Sequence, residues 1–187
     1  MTEIEFSDGT TGTGFDTDND GQIDVIAVDL DGDGRAETTL HDLDSDGTID
    51  VIATDADGDG LEETVAVDAD GNGTFERILI DEDQDGEFEA ALVDQDDNGT
   101  FETLLVDSDQ NGAWDAALVD TDEDGRFDVG LVDANEDGSA ETVLIDRDGD
   151  GNVDEILRDT DGDGRIDSRT TSGQRSGTSY AGVPDLA

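Results

Sequence analysis

An unbroken 13-residue repeat is the feature that most constrains what this chain can fold into. Twelve copies run from residue 16 to residue 171 without an insertion or a deletion, and a typical copy reads DTDEDGRFDVGLV. In repeat proteins each copy forms one small structural unit, and that unit buries its apolar surface against its neighbours. We therefore expect an array of similar units rather than a globular domain around a single core.

Acidic residues occupy fixed positions within the repeat. Position 1 is always Asp, position 9 is always Asp or Glu, and position 6 is always Gly. Position 3 is Asp except for Asn135, and position 5 is Asp except for Asn72, Asn98 and Asn111. Positions 1, 3, 5 and 9 hold 44 of the 55 acidic residues. A halophilic surface would not place acids so regularly, and a simple Asp-Gly turn does not need four of them.

Three alternating carboxylates followed by Gly are typical of a calcium-binding loop. Calcium takes six to eight oxygen ligands, and side chains at positions 1, 3 and 5 can surround one point when Gly at position 6 permits a sharp turn. A carbonyl at position 7 and the acid at position 9 would add further ligands. Magnesium demands near-octahedral geometry and fits so flexible a loop poorly. The sequence predicts about one Ca²⁺ per repeat, up to about twelve ions.

The predicted metal ligands are the side chains at positions 1, 3, 5 and 9 of the repeats: Asp16, Asp18, Asp20, Asp24, Asp29, Asp31, Asp33, Glu37, Asp42, Asp44, Asp46, Asp50, Asp55, Asp57, Asp59, Glu63, Asp68, Asp70, Asn72, Glu76, Asp81, Asp83, Asp85, Glu89, Asp94, Asp96, Asn98, Glu102, Asp107, Asp109, Asn111, Asp115, Asp120, Asp122, Asp124, Asp128, Asp133, Asn135, Asp137, Glu141, Asp146, Asp148, Asp150, Asp154, Asp159, Asp161, Asp163 and Asp167.

Positions 7 to 13 of each repeat favour β-structure, because they are rich in β-branched, aromatic and aliphatic residues, as in TFETLLV. A helix is disfavoured because so short a segment would be marginal. A weaker 26-residue period, visible at position 8, suggests two strands per coil. We predict an all-β, calcium-stabilised β-solenoid with two sheets and 26-residue coils, each made of two 13-residue repeats. A single antiparallel β-meander is the alternative.

Positions 11 to 13 are all largely apolar, as in Ile78, Leu79 and Ile80. Successive side chains of a regular strand point to opposite faces, so either a bulge turns the strand or an apolar stripe faces outward. An outward stripe along the array would favour self-assembly into filaments or lateral association. Residues 1–15 are predicted as an N-terminal cap or linker, 16–171 as the repeats, and 172–187 as a C-terminal tail or cap.

The motif D-x-D-x-D-G-x-x-[DE] resembles the loops of EF-hands, dockerins, thrombospondin type 3 repeats and FG-GAP repeats. It departs from the EF-hand because strand-like segments replace the helices and position 12 is never Glu. FG-GAP loops, which join antiparallel strands, are the nearer match. As an array, the chain resembles the bacterial RTX β-roll, although the RTX nonapeptide G-G-x-G-x-D is absent. This resemblance implies short strands that stack when calcium fills the turns.

Composition excludes several classes of function. A formal net charge of -47 opposes binding to nucleic acid or to an anionic membrane, and no segment is apolar enough for membrane insertion. Cysteine is absent, so thiolate metal sites and disulfides are excluded. The single histidine, His41, has no nucleophile and base arranged around it, and each acid recurs in every repeat, whereas an active site is singular. The chain is not expected to be an enzyme.

The leading functional hypothesis is an extracellular, secreted calcium-binding structural protein that folds on binding calcium, such as a matrix, filament or adhesin component. No N-terminal signal peptide is visible. The missing Glu at position 12 favours weak sites, on the order of 0.1 to 1 mM, as in extracellular modules. A calcium buffer or sensor is the first alternative, and an acidic protein that binds a basic partner is the second.

Overall fold

The computed structural model of the chain describes residues 1–7 and 9–172. The predicted C-terminal tail or cap lies outside the described residues, apart from Ser172. The chain divides into two compact units, Met1–Phe101 and Glu102 onward, and the boundary falls inside the seventh repeat. In the part of the chain described, no helix is both long and apolar enough to cross a membrane.

The first unit is an antiparallel meander in which each strand pairs with the next. Its strands are β1 (Thr2–Glu5), β2 (Thr11–Phe15), β3 (Val25–Val28), β4 (Thr38–His41), β5 (Val51–Thr54), β6 (Thr64–Val67), β7 (Arg77–Ile80) and β8 (Ala90–Val93).

The second unit repeats the same arrangement. Its strands are β9 (Thr103–Val106), β10 (Ala116–Val119), β11 (Val129–Val132), β12 (Thr142–Ile145), β13 (Glu155–Arg158) and β14 (Ser168–Thr171).

The prediction of an all-β fold is confirmed, but the predicted two-sheet solenoid with 26-residue coils is wrong. Within each unit consecutive strands run antiparallel, so the alternative, an antiparallel β-meander, describes both units. The reason lies in the loop, because it closes on itself. The N–H of position 9 donates to the carbonyl that precedes position 1, as from Asp24 to Phe15 at 2.9 Å, and this bond reverses the chain.

The strands are shorter than the sequence predicted. In every repeat the strand occupies only positions 10 to 13, whereas positions 7 and 8 belong to the loop. We call positions 1 to 9 of repeat n loop n. Because the strands alternate in direction, odd-numbered loops lie at one end of the strands within a unit and even-numbered loops at the other. We call these two sets the odd row and the even row.

Strand register explains the 26-residue period. Position 10 of one strand pairs with position 13 of the next, as Val25 pairs with His41, and position 11 pairs with position 12, as Ile26 pairs with Leu40. One face of each meander therefore carries positions 10 and 12 of odd repeats beside positions 11 and 13 of even repeats, and the other face carries the reverse set. The period of two repeats arises from this alternation and from the two rows of loops, not from a coil.

Apolar side chains lie on both faces of each meander, and few of them are fully buried. Among the described residues, the buried hydrophobic side chains are Val28, Ala91, Leu104, Leu118 and Val153. Most strand residues are half-buried, and the paired register of the repeat strands runs without a bulge within each unit. The apolar residues at positions 11 to 13 thus cover two faces of one thin layer.

The N-terminal segment forms more structure than the sequence indicated. Residues 1–15, predicted as an N-terminal cap or linker, contain β1 and also β2, which lies between β1 and β3. A Cβ atom on Gly12 would lie 2.9 Å from Ile26 Cγ2, and one on Gly14 would lie 2.9 Å from Ile4 Cδ1. These glycines are required because neighbouring side chains fill the space above them.

Candidate metal centres

The Asp at position 1 organises each loop through its two carboxylate oxygens. In all twelve loops one oxygen accepts the N–H of the Gly at position 6, at 2.7 to 3.1 Å. In most loops the other accepts the N–H of position 4; in loop 2, Asp29 accepts from Gly32 at 2.6 Å and from Gly34 at 2.9 Å. The chain is thereby wrapped around this carboxylate.

Positions 3 and 5 continue the same wrapping by short local turns. In loop 2, Asp31 Oδ1 accepts the N–H of Asp33 at 2.9 Å, and Asp33 Oδ1 accepts the N–H of Arg35 at 2.8 Å. Asn replaces Asp in these bonds without changing them, since Asn98 Oδ1 accepts the N–H of Thr100 at 2.8 Å. Each side chain uses one oxygen for the turn, which leaves the second oxygen of an Asp for another partner.

Backbone conformation identifies a second special position, which the sequence interpretation missed. Position 4 has a positive φ in all twelve loops, and in seven of them it is not Gly, as at Asn19 (φ 66) and Glu136 (φ 57). The φ angle of position 6 is also positive, from 80 at Gly164 to 98 at Gly60. The presence of Gly at position 4 in five repeats, including Gly32, could have predicted this conformation, because Gly adopts a positive φ most readily.

Position 9 closes the loop twice. Its backbone N–H completes the hairpin, and its side chain accepts the N–H of position 2, as Glu63 does from Ala56 at 2.7 Å. In four loops position 2 is Ser or Thr and its hydroxyl donates to the same oxygen, as from Thr121 to Asp128 at 2.5 Å. In all four of these loops position 9 is the shorter Asp and never Glu.

Those hydroxyl bonds have an electrostatic effect. The side-chain hydrogen bond from position 2, followed by the backbone N–H of the same residue, lowers the pKa of position 9 below its ordinary value. The affected carboxyl groups are those of Asp24, Asp115, Asp128 and Asp167. These four groups are held ionised, which is the form that binds a cation.

The predicted ligands converge in space. In loops 2 and 6, one oxygen from each of positions 1, 3, 5 and 9 lies within 4.8 Å of the others. In loops 1, 3 and 4 the close group consists of positions 1, 3 and 9, and seven further groups occur among the described residues. The named groups are Asp29, Asp31, Asp33 and Glu37; Asp81, Asp83, Asp85 and Glu89; Asp16, Asp18 and Asp24; Asp42, Asp44 and Asp50; Asp55, Asp57 and Glu63.

Crowding of the carboxylates is visible in loop 11. The negative charge of Asp150, helped by burial and by Asp154, raises the pKa of Asp148 above its usual range. Asp148 is at position 3 and Asp150 at position 5 of the same loop. Negative charges at positions 3 and 5 of this loop therefore lie close enough to disfavour each other.

Two buried oxygens also fit a cation. Asp133 Oδ1, at position 1 of loop 10, and Asp97 Oδ1, at position 4 of loop 7, are buried without a hydrogen-bond partner in the described part of the chain. The carboxylates at position 1 are themselves mostly enclosed; Asp68, Asp81 and Asp146 are each 2% exposed. Burying a charge is costly unless a counter-charge accompanies it, and a hard cation is the partner that oxygen ligands prefer.

His41 lies outside the loops. It is on β4, and its Nε2 atom is 3.0 Å from Thr39 Oγ1. Comparisons of the chain with protein-family models, with curated proteins and with solved structures found no match. The arguments for function therefore come from the loops themselves.

Proposed function

We propose that this chain is a calcium-binding repeat protein whose loops each take one Ca²⁺, up to about twelve ions, and whose folded state depends on that binding. The observation that carries the proposal is the recurring group of carboxylate oxygens that all lie within 4.8 Å of one another. Two oxygens on opposite sides of a calcium ion are separated by about twice the Ca–O distance of 2.3 to 2.6 Å, which is close to 5 Å. The groups are therefore compact enough for a single calcium ion to contact all of their oxygens.

The chemistry of the ligands supports calcium over other metals. All candidate side-chain ligands are carboxylate or amide oxygens, and the chain contains no Cys. Zinc prefers nitrogen and sulfur ligands, and magnesium prefers a rigid octahedron with several waters. Calcium accepts flexible oxygen shells with variable numbers of ligands, which suits loops that offer three acids in some copies and four in others.

Dependence of folding on the ion follows from electrostatics. Two unit charges 4.8 Å apart repel by roughly 3 to 4 kcal/mol at an effective dielectric of 20. Loop 2 contains six such pairs among Asp29, Asp31, Asp33 and Glu37. Since few side chains are fully buried, the apolar layer offers little to oppose this repulsion, and a divalent ion is the natural counter-charge.

The test is calcium titration of chelator-treated protein, followed by circular dichroism and isothermal titration calorimetry, with Mg²⁺ as the control ion. We expect calcium to raise the thermal transition and the β signal, and magnesium at the same concentration to do much less. Protein that keeps the same β spectrum and melting temperature in excess chelator would refute calcium-dependent folding. Calorimetry without a binding heat would refute calcium binding as well.

We propose further that the protein acts outside the cell as a structural component, for example in a matrix or filament. Two features support this role: position 12 lacks the bidentate Glu of tight sites, and both faces of each meander carry half-buried apolar residues. Weak sites would fill only where calcium approaches millimolar concentrations. Calcium midpoints near 1 mM, together with sedimentation of polymers only in calcium, would support the proposal. Micromolar midpoints and a monomer would favour a calcium buffer or sensor.

A further inference from the structure

Loops two repeats apart lie next to each other in the same row and are joined by hydrogen bonds. The N–H of position 1 donates to the carbonyl of position 9 in the loop two repeats upstream, as from Asp133 to Asp115 at 2.8 Å. The same neighbours also meet through side chains at position 5 of the upstream loop and position 4 of the downstream loop. We call this pair of positions a row junction.

Two row junctions join an amide to a carboxylate. Asn111 Nδ2 in loop 8 donates to Glu136 Oε1 in loop 10 at 2.6 Å. Asn72 Nδ2 in loop 5 donates to Asp97 Oδ2 in loop 7. In both cases the other amide atom, Oδ1, faces its own loop, since Asn111 Oδ1 accepts the N–H of Ala113 at 2.9 Å.

In two junctions where position 5 is Asp, its carboxylate lies close to position 4 of the downstream loop. A Cβ atom on Gly71 would lie 3.8 Å from Asp46 Oδ2, and one on Gly149 would lie 3.9 Å from Asp124 Oδ2. An acid at either glycine would bring two negative groups into contact. Like charges at such a distance disfavour each other.

In the sequence, an acid at position 5 of one repeat is never combined with an acid at position 4 of the repeat two further on. Position 5 is Asn in repeats 5, 7 and 8, and position 4 is acidic only in repeats 7, 9 and 10, two repeats downstream in each case. In the other seven pairs of repeats position 5 is Asp and position 4 is Gly, Ser or Gln. Every pair therefore carries one carboxylate. The acids concerned are Asp97, Glu123 and Glu136.

Neutral residues at position 4 also act on the upstream loop. Gln84 Nε2 donates to Glu63 Oε1, at position 9 of loop 4, at 3.1 Å. Position 4 thus contacts the predicted ligands of its row neighbour with a side chain suited to them: an amide donor for an acid, and an acid for an amide. Asp97 combines its bond to Asn72 with a buried Oδ1 that has no hydrogen-bond partner among the described residues.

We propose that Glu136 and Asp97 are positioning residues for the calcium sites of loops 8 and 5. Each carboxylate accepts a hydrogen bond from Nδ2 of the upstream Asn, which leaves Oδ1 of that Asn directed toward its own loop and the ion. It also supplies, from the neighbouring loop, the negative charge that Asn lacks. Partners in this outer shell orient metal ligands and strengthen their binding. Loops in one row are therefore linked in calcium binding, and the inference rests on the calcium function proposed above.

Trp114 makes the test possible because it is the single Trp of the chain, it occupies position 8 of loop 8, and it is 38% exposed. Calcium titrations followed by Trp114 fluorescence are compared for the full chain and for Glu136→Gln. We expect this variant to weaken the midpoint by about tenfold or more, the usual effect of losing such a partner. The double variant Asn111→Asp with Glu136→Gln recreates the Asp and Gln pairing of repeats 4 and 6 and should restore the midpoint.

Glu123→Gln is the matched control, because it removes the same charge from the same position of a loop in the opposite row. It should leave the Trp114 midpoint unchanged. Equal midpoints for the unmodified chain and Glu136→Gln would overturn this inference while leaving calcium binding intact, and failure of the double variant to recover would do the same. An unmodified chain that binds no calcium in calorimetry would overturn the proposed function and this inference together.

Discussion

Asp107 offers a way to separate the turn from the metal site. It is 4% exposed, its Oδ2 accepts the N–H of Gly112 at 2.7 Å, and its Oδ1 accepts the N–H of Asn111 at 3.3 Å. Asp107→Ala removes both acceptors, whereas Asp107→Asn keeps one oxygen and loses the charge. A hydrogen bond to a charged group contributes about 1.5 to 3 kcal/mol. Since one of the two bonds is long, we expect their loss in the Ala variant to lower the free energy of unfolding by about 2 to 3 kcal/mol in saturating calcium, which keeps the other loops folded, in addition to the loss of the ion that the two variants share.

The Asn variant should lose only about 1 kcal/mol through these bonds, because one neutral acceptor remains. Calcium binding at loop 8 should weaken equally in the two variants, since both lack the buried negative ligand, and the Trp114 midpoint should weaken at least about tenfold, or 1.4 kcal/mol. The difference between the two variants in urea unfolding in saturating calcium measures the first effect, and calcium titration of Trp114 fluorescence measures the second.

Asp120→Asn serves as the control, because Asp120 is 5% exposed and binds Gly125 in the same way in the next loop. Asp120→Asn should lower the free energy of unfolding by a similar amount to Asp107→Asn but leave the Trp114 calcium midpoint unchanged. An Asp107→Asn protein with the calcium midpoint of the unmodified chain would show that position 1 is not a ligand. An Asp107→Ala protein with unchanged urea stability would show that its hydrogen bonds do not hold the loop.

Three further outcomes are expected. Thr121→Val should raise the pKa of Asp128 toward its ordinary value, and carboxyl NMR shifts would measure this, with Thr121→Ser as the control. Because the pKa of Asp128 is lowered in the folded state, its ionised carboxylate contributes stability above the ordinary Asp range. That stability is lost as the pH falls through the lowered pKa. Gly47→Ala should cost about 1 to 2 kcal/mol in urea unfolding from its φ of 94 alone, since nothing lies within 4 Å of the added Cβ. Glu155→Gln should speed amide exchange in β13 and β14, because Arg147, at 2.5 Å, and Arg169 both bind this buried carboxylate. The hydrogen bond from Arg147 lowers the pKa of Glu155. The difference in exchange between the variant and the unmodified chain should therefore disappear in acid, once the unmodified Glu155 is protonated.

Much of the local structure was predictable because each element depends on residues within one repeat. The side chain of the Asp at position 1 binds groups no more than five positions away, including the N–H of the Gly at position 6, so a 13-residue window contains the loop. The β-structure of positions 10 to 13 follows in the same way from β-branched and aliphatic residues. Metal binding at the 48 predicted side chains stays a prediction, although the structure brings many of them together.

The arrangement of strands was harder to predict because it depends on pairing between repeats. A 26-residue period is compatible with a coil of two strands and also with alternating strand directions, and composition at position 8 does not distinguish them. The informative signal was the complementarity of Asn111 and Glu136, and of Asn72 and Asp97. Such pairs identify repeats that are neighbours in a row, but they can be recognised only once successive loops are known to lie at opposite ends of the strands.

The two kinds of contact explain why the array tolerates no change in repeat length. An extra residue in a strand would move every later side chain of that strand to the opposite face. An extra residue in a loop would displace position 9, whose N–H closes its own hairpin and whose carbonyl accepts the N–H of position 1 in the next loop of the row, as Asp24 does from Asp42 at 2.9 Å. Where both bonds occur, as in loop 3, whose Asp42 N–H binds the upstream loop and whose Asp50 carbonyl accepts from Asp68 at 2.8 Å, the loop is fixed at its start by the upstream loop and at its end by the downstream one. The fixed length of 13 residues is therefore a condition of the rows within a unit, and the rows place neighbouring acidic loops in contact.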